Sequence, residues 1–128
     1  MTGGFVLVVD DSRLLRGIVR GILQSAGYRV LEAGDGLEAI RVIEQHQPFA
    51  QHARLVLLDM LMPQMNGLGV LAYLRAHEAT DVPVLAMSSS PEDLAQAMPA
   101  GATAILAKPC EQAQLLSLVG RYCRPAAP

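Results

Sequence analysis

Lysine is almost absent from this sequence, in which Lys108 is the only lysine beside nine arginines in a chain of 128 residues. The basic residues form no run, and the formal net charge is -2. Binding to nucleic acid or to an anionic membrane requires clustered positive charge. We therefore expect no direct contact with DNA or RNA and none with a membrane.

Cysteine and long hydrophobic runs are also scarce. The longest apolar runs, such as residues 5–9 and 55–58, are far shorter than the ~20 residues that cross a bilayer. Asp10 follows too early in the chain for a signal peptide, so the sequence predicts a cytoplasmic protein. The two cysteines, Cys110 and Cys123, fall on one predicted helix about 19 Å apart, which predicts two reduced thiols and no disulfide.

What the sequence does contain is enough apolar material for one core. Hydrophobic residues make up 52% of the chain and charged residues 17%, which excludes wholesale disorder. The length predicts a single domain over residues 1–128. Residues 124–128, which include two prolines, are predicted to be a flexible tail.

Short apolar segments alternate with segments of helical periodicity along the whole chain. The predicted strands are residues 5–9, 29–33, 55–58, 82–87 and 103–107. The predicted helices are residues 12–27, 37–43, 67–77, 91–99 and 111–123, and residues 47–53 are a loop or a frayed helix end. This alternation predicts an α/β fold in which helices cover both faces of a parallel, doubly wound sheet.

Polar side chains follow four of these strands at the point where each strand ends. Asp10 and Asp11 follow the first strand, Asp59 the third, Ser88 the fourth and Lys108 the fifth. The carboxyl ends of parallel strands meet at one edge of a sheet, where ligands bind. Crowded carboxylates either trap a proton or bind a cation, and oxygen donors favour Mg²⁺. The alternative is that the first two aspartates only cap the following helix.

Lys108 and Ser88 each allow two interpretations. The compact ammonium of Lys108 suits a carboxylate or a phosphoryl oxygen near a metal, or it is a solvated side chain beside a proline. The hydroxyl of Ser88 ends its strand or caps the next helix, or it donates to a phosphoryl oxygen. Since a carboxylate is a competent nucleophile for phosphoryl transfer, the set as a whole favours that chemistry.

The order of these residues resembles the receiver domain of two-component response regulators, and the resemblance covers essentially the whole chain. The segments that carry it are VVDDS at residues 8–12, EAGDGLEAI at 32–40, LLDMLMPQMNG at 57–67, VPV at 82–84 leading to Ser88, and GA at 101–102 leading to KP at 108–109. Each segment is weak evidence alone, but five in order are specific.

The resemblance implies a flavodoxin-like (βα)5 fold with strand order 2-1-3-4-5. It implies that Asp59 is the phosphoacceptor in a reaction that depends on Mg²⁺. By the same resemblance Asp11 is a direct magnesium ligand, Asp10 a ligand through water, and the Leu61 carbonyl a third protein ligand.

The resemblance further implies that Ser88 and Lys108 bind phosphoryl oxygens and that the Lys108–Pro109 bond is cis. The phosphoryl donor would be a histidine kinase or a histidine phosphotransfer protein, and the product a conformation that binds another partner. Such a chain is not an enzyme beyond its own phosphorylation and dephosphorylation. We expect a monomer or weak dimer without an output domain in this chain.

Three features depart from the family pattern. Ser88 stands where threonine is usual, which keeps the hydroxyl. Ile105 stands where the family usually has an aromatic residue that moves inward on activation. The stretch from 88 to 101 is about two residues shorter than expected for the family and contains Pro99.

Other functional classes remain possible at this point. A haloacid-dehalogenase-like phosphohydrolase uses similar groups, but there the nucleophile follows the first strand and the acid pair comes late. A flavodoxin-like flavin binder needs a phosphate loop where Asp10 and Asp11 would repel a phosphate. A docking module that works without phosphorylation is favoured to some extent by Ile105 and by the shortened fourth helix.

Overall fold

The computed structural model describes residues 4–62, 65–77 and 81–123. In this part of the chain, five parallel strands form one sheet in the order β2-β1-β3-β4-β5. The strands are β1 (Phe5–Val9), β2 (Val30–Ala33), β3 (Ala53–Asp59), β4 (Val84–Ser88) and β5 (Ala104–Ala107). The predicted fold class and strand order are confirmed.

Helices connect the strands. They are α1 (Arg13–Ser25), α2 (Gly36–Gln45), α3 (Phe49–His52), α4 (Gly67–Ala76), α5 (Pro91–Ala97) and α6 (Gln112–Tyr122). The short α3 falls within the predicted loop or frayed helix end, and it forms a helical turn there because Phe49 is fully buried. None of the helices in the described ranges is both long and apolar enough to cross a bilayer.

Local hydrogen bonds set where several helices begin. Ser12 caps α1 by accepting from the Leu15 N–H, and Asp35 caps α2 by accepting from the Glu38 N–H. These caps satisfy backbone donors that a helix leaves without an internal partner. Gly101, with φ 113°, occupies the left-handed region after α5, which an L side chain rarely adopts.

The prediction that both cysteines lie on the last helix is wrong. Because α6 begins at Gln112 and ends at Tyr122, Cys110 precedes it and Cys123 follows it. Both are free thiols, as predicted. The predicted tail, residues 124–128, lies outside the described residues.

Two apolar layers hold the sheet from opposite sides. Alternate side chains of β1 and β3 point to opposite faces, since the period of a strand is two. Leu7 and Leu58 pack on the side of α2 and α4, whereas Val8 and Leu57 pack on the side of α1 and α6. Burial on both faces explains why the central strands are continuous apolar runs, and it leaves only the strand ends for polar groups.

Candidate functional site

The strand register brings the polar residues to one edge of the sheet. Val9, the last residue of β1, pairs with Leu58, so Asp10 and Asp59 lie side by side. Asp59 in turn pairs with Met87 of β4, next to Ser88. The backbone N–H of Lys108 donates to the Ser88 carbonyl at 2.9 Å.

Three carboxylates meet at this edge. Asp10, Asp11 and Asp59 each offer one oxygen, and these oxygens lie within 4.8 Å of one another. Asp10 and Asp59 are buried, whereas Asp11 is exposed. The alternative that the first two aspartates serve as the cap of α1 is wrong, because Ser12 is the cap; the Ser12 N–H donates to Asp10 Oδ1 at 2.9 Å.

Lys108 pairs with two of these carboxylates. Its Nζ lies 2.9 Å from Asp10 Oδ2 and 3.6 Å from Asp59 Oδ1. Burial disfavours the charged ammonium and by itself would lower the pKa of Lys108. The hydrogen bond to Asp10 and the negative charge of Asp59 outweigh this effect, so the pKa of Lys108 is raised. The alternative of a solvated lysine is therefore wrong, and the Lys108–Pro109 bond is cis as expected.

The carboxyl group of Asp59 has a raised pKa. Burial raises its pKa from 3.8 to about 6, against the opposing effects of Lys108 and the Leu61 N–H, with Asp10 and Asp11 raising it further. The Leu61 N–H donates to Oδ1 at 3.2 Å. The other carboxylate oxygen, Oδ2, has no hydrogen-bond partner among the described residues. Every fully buried side-chain oxygen in this part of the chain does have a partner, so Oδ2 is not fully buried and keeps contact with solvent.

Ser88 is only 2% exposed, and its hydroxyl has two partners. It accepts from the Ser90 N–H at 3.0 Å and donates to Asp93 Oδ2 at 3.2 Å. Asp93 was not among the residues that the sequence singled out. An acid in the first turn of a helix is common, and nothing in the sequence shows that its side chain turns back toward the strand.

Sequence reasoning also missed Arg16. Its Nη1 donates to the Asp10 carbonyl at 2.8 Å, and its Nε pairs with Glu32 Oε1 at 3.0 Å. Burial raises the pKa of Glu32, but hydrogen bonds and charge from Arg20 and Arg16 lower it more, so its net shift is downward. These contacts fix the backbone at the end of β1, from which Asp10 and Asp11 reach the site.

Two apolar side chains that the sequence singled out are exposed. Leu61, two residues after Asp59, is 67% exposed, and Ile105 of β5 is 42% exposed. The described geometry gives no partner for the Leu61 carbonyl, so its role as a metal ligand stays a prediction. Ile105 borders a shallow surface hollow with Leu118 and Arg121 of α6.

The donor set fits a hard divalent cation. All three clustered side chains supply carboxylate oxygens, and one ammonium offsets only part of their charge. Mg²⁺ prefers oxygen ligands and is commonly held by one or two carboxylates together with water.

A comparison with known families decides what kind of domain carries this site. Residues 6–120 match the model of the response regulator receiver domain. The chain belongs to this family. Receiver domains are signalling domains of two-component systems and not conventional enzymes.

The receiver domain is similar to proteins from several bacteria. It is 39% identical over 127 residues to the transcriptional regulatory protein PrrA of Mycobacterium tuberculosis, covering 97% of this chain and 52% of PrrA. The structure of the chemotaxis response regulator CheY4 of Vibrio cholerae matches with a TM-score of 0.84 at 32% identity, covering 94% of this chain and 99% of CheY4.

A third match contains a metal. The receiver domain of the sensor histidine kinase PA1611 from Pseudomonas aeruginosa has a magnesium ion coordinated in its active site cleft. It matches with a TM-score of 0.82 at 28% identity, covering 94% of this chain and 97% of that domain. The present chain spans about half the length of PrrA. It spans a smaller share of some other curated relatives.

Proposed function

We propose that this receiver domain accepts a phosphoryl group on Asp59 from a histidine kinase or a histidine phosphotransfer protein, in a reaction that requires Mg²⁺. The observation that carries the proposal is the 3.6 Å contact of Lys108 with Asp59 at an edge where Asp10 and Asp11 also converge. A buried carboxylate beside a cation and further oxygen ligands suits phosphoryl transfer, since catalysis there rests on positioning and charge neutralisation.

Asp59 Oδ2 is the proposed nucleophile because Oδ1 already accepts from the Leu61 N–H and faces Lys108, whereas Oδ2 has no partner among the described residues. It forms a new P–O bond to the phosphorus of a phosphohistidine as the P–N bond breaks. The electron pair of that bond stays on the imidazole nitrogen of the donor, which then takes a proton from solvent. The reaction needs the ionised carboxylate, which in the metal-free protein predominates above about pH 6, where the pKa of Asp59 lies.

Lys108 and Ser88 are proposed to hold the transferred group. The ammonium lies beside Asp59 Oδ1 and can neutralise a phosphoryl oxygen, while the Ser88 hydroxyl can donate to another. Asp11 would bind the metal directly, Asp10 through water, and Leu61 through its carbonyl. When bound, Mg²⁺ neutralises negative charge on the phosphoryl oxygens and on the carboxylates.

Phosphorylation would act as a charge switch. The phosphoryl group carries roughly −1.5 to −2 charge in place of the single charge of the ionised carboxylate, at a site bordered by the first turn of α5, where Ser90 caps the helix. The domain would then present a changed surface to a downstream partner. The chain would act only on its own phosphorylation and dephosphorylation.

Phosphoramidate, a small phosphoryl donor, tests the proposal without a cognate kinase. With Mg²⁺, intact mass spectrometry should show one added phosphoryl group on the parent and none on Asp59→Asn. Glu44→Gln, an exposed acid on α2 whose one side-chain contact among the described residues is the Tyr73 hydroxyl, is the matched control and should be labelled like the parent. Labelling of Asp59→Asn, or no labelling of the parent, would contradict the proposal.

A further inference from the structure

The single hydrogen of the Ser88 hydroxyl is already committed in this structure. The hydroxyl accepts from the Ser90 N–H at 3.0 Å, so that contact uses a lone pair and not the hydrogen. Its remaining contact is with Asp93 Oδ2 at 3.2 Å, where the carboxylate can only accept. The hydrogen therefore points to Asp93, in a bond strengthened by the charge of its acceptor.

Asp93 is held in place for this contact. It lies in the first turn of α5, where its own N–H donates to Ser90 Oγ at 3.3 Å. Within residues 4–62, 65–77 and 81–123, no basic side chain forms a salt bridge with Asp93. Ser88 is thus the one side chain in that part of the structure that donates to this carboxylate.

We propose that Asp93 is a positioning residue that competes with the phosphoryl group for the Ser88 hydroxyl and so opposes the phosphorylated state. This inference rests on the proposed function, because it assumes that Ser88 donates to a phosphoryl oxygen on Asp59. A hydroxyl with one hydrogen cannot serve both acceptors at full strength. Reaching the phosphorylated state therefore requires the contact between Ser88 and Asp93 to break.

The release of Asp93 also gives a route from the site to α5. The phosphoryl group takes the hydrogen from Asp93, whose carboxylate then loses its contact with β4 while staying in the first turn of α5. When the Ser88 hydroxyl turns from Asp93 to the phosphoryl group, the first turn of α5 loses its hydrogen bond to β4. Asp93 acts only through Ser88 and needs no contact with the reacting atoms.

Beryllofluoride, which takes the place of the phosphoryl group on an aspartate, allows a binding test at equilibrium. With Mg²⁺ held constant, NMR titration should show that Asp93→Ala binds beryllofluoride about fivefold more tightly than the parent, as expected when one competing hydrogen bond is removed. Asp93→Asn, which keeps an acceptor but loses its charge, should fall between the two.

Glu92→Ala is the matched control. Glu92 lies in the same first turn of α5 and carries the same charge, but its side chain contacts the Ser90 hydroxyl at 3.3 Å and not Ser88. Its affinity should stay within about twofold of the parent. An equal gain in Glu92→Ala and Asp93→Ala would show general charge repulsion and would overturn the inference.

The decisive measurement repeats Asp93→Ala in a Ser88→Ala background. If Asp93 acts through the hydroxyl, its removal changes nothing there, and the two effects are strongly non-additive. A gain that persists without the hydroxyl, or unchanged or weaker binding by Asp93→Ala alone, would overturn the inference. Thermal unfolding of each variant should confirm that it is folded at the temperature of the titration.

The role of Asp93 and the acceptance of a phosphoryl group by Asp59 can be refuted separately. If the parent binds no beryllofluoride, or if Asp59→Asn binds it equally well, the proposed function fails and this inference fails with it. If binding requires Asp59 but Asp93→Ala matches the parent, only the role of Asp93 is refuted.

Discussion

The ammonium of Lys108 donates a 2.9 Å hydrogen bond to Asp10, although 98 positions separate the two residues in the chain. The same ammonium lies 3.6 Å from Asp59. It therefore offsets charge on two buried carboxylates that would otherwise repel each other. The lysine both stabilises the site and stands where an incoming phosphoryl group would need a positive charge.

Lys108→Met should slow phosphorylation by phosphoramidate about tenfold or more, because it removes a cation placed beside the acceptor. The Mg²⁺ affinity should not fall, since the three clustered oxygens remain and lose a competing positive charge. Labelling rates followed by mass spectrometry, with Mg²⁺ titrations alongside, check both expectations. Lys108→Arg keeps the charge in a wider shape and should be slowed less; a methionine variant as fast as the parent would contradict the role assigned to Lys108.

The raised pKa of Asp59 makes the stability of the metal-free protein depend on pH. Its value is about 6 in the folded protein against an ordinary value of 3.8, so between these values the folded state binds more protons than the unfolded state. The stabilisation that protonated Asp59 contributes is complete below about pH 4 and is lost as the pH rises through about 6. The shift sets an upper bound of about 3 kcal/mol on this loss, since one pKa unit corresponds to about 1.4 kcal/mol and solvent screens part of the charge.

Asp59→Asn removes this dependence because the amide does not titrate. In urea unfolding with a chelator present, the free energy of unfolding of the variant relative to the parent should increase from about pH 4 to about pH 7. Saturating Mg²⁺ should shrink that difference, since the cation stabilises the carboxylate of the parent. A relative stability that is constant over this range would show that Asp59 is not destabilised by burial.

The proposed metal site depends on Asp11 as well as on Asp59. Asp11→Ala should weaken Mg²⁺ binding about tenfold or more, because it removes an exposed carboxylate that faces the two buried ones. Asp59→Asn should weaken binding as well, and Glu44→Gln should not. Amide shifts in an NMR titration give the affinities, and unchanged affinity in both aspartate variants would refute the assignment of the site.

The site residues that could be predicted from the sequence are those that stand at the carboxyl end of a strand. Asp59 and Lys108 follow apolar runs, and the order of parallel strands brings such ends together whatever the side-chain details. Arg16 and Asp93 could not be found in this way, because each contact depends on how a helix is rotated against the sheet. For residues 47–53 the sequence left open a loop or a frayed helix end, and it could not decide between them because α3 rests on the burial of Phe49 and not on helical periodicity.

Leu61 should determine how long the phosphorylated state lasts. Its side chain is 67% exposed two residues after Asp59, and its N–H donates to Asp59 Oδ1, which places it at the rim of the proposed phosphoryl site. Hydrolysis requires a water molecule in line with the breaking bond, and an apolar branched side chain gives that water no hydrogen bond and covers part of its approach.

Leu61→Asn offers a polar group and should shorten the phosphoryl half-life about fivefold, or roughly 1 kcal/mol in the barrier. The half-life is measured by intact mass after removal of the donor, with Leu61→Met as an apolar control that should decay at nearly the parent rate. An asparagine variant that lasts as long as the parent, with Mg²⁺ binding intact, would show that Leu61 does not shield the phosphoryl group.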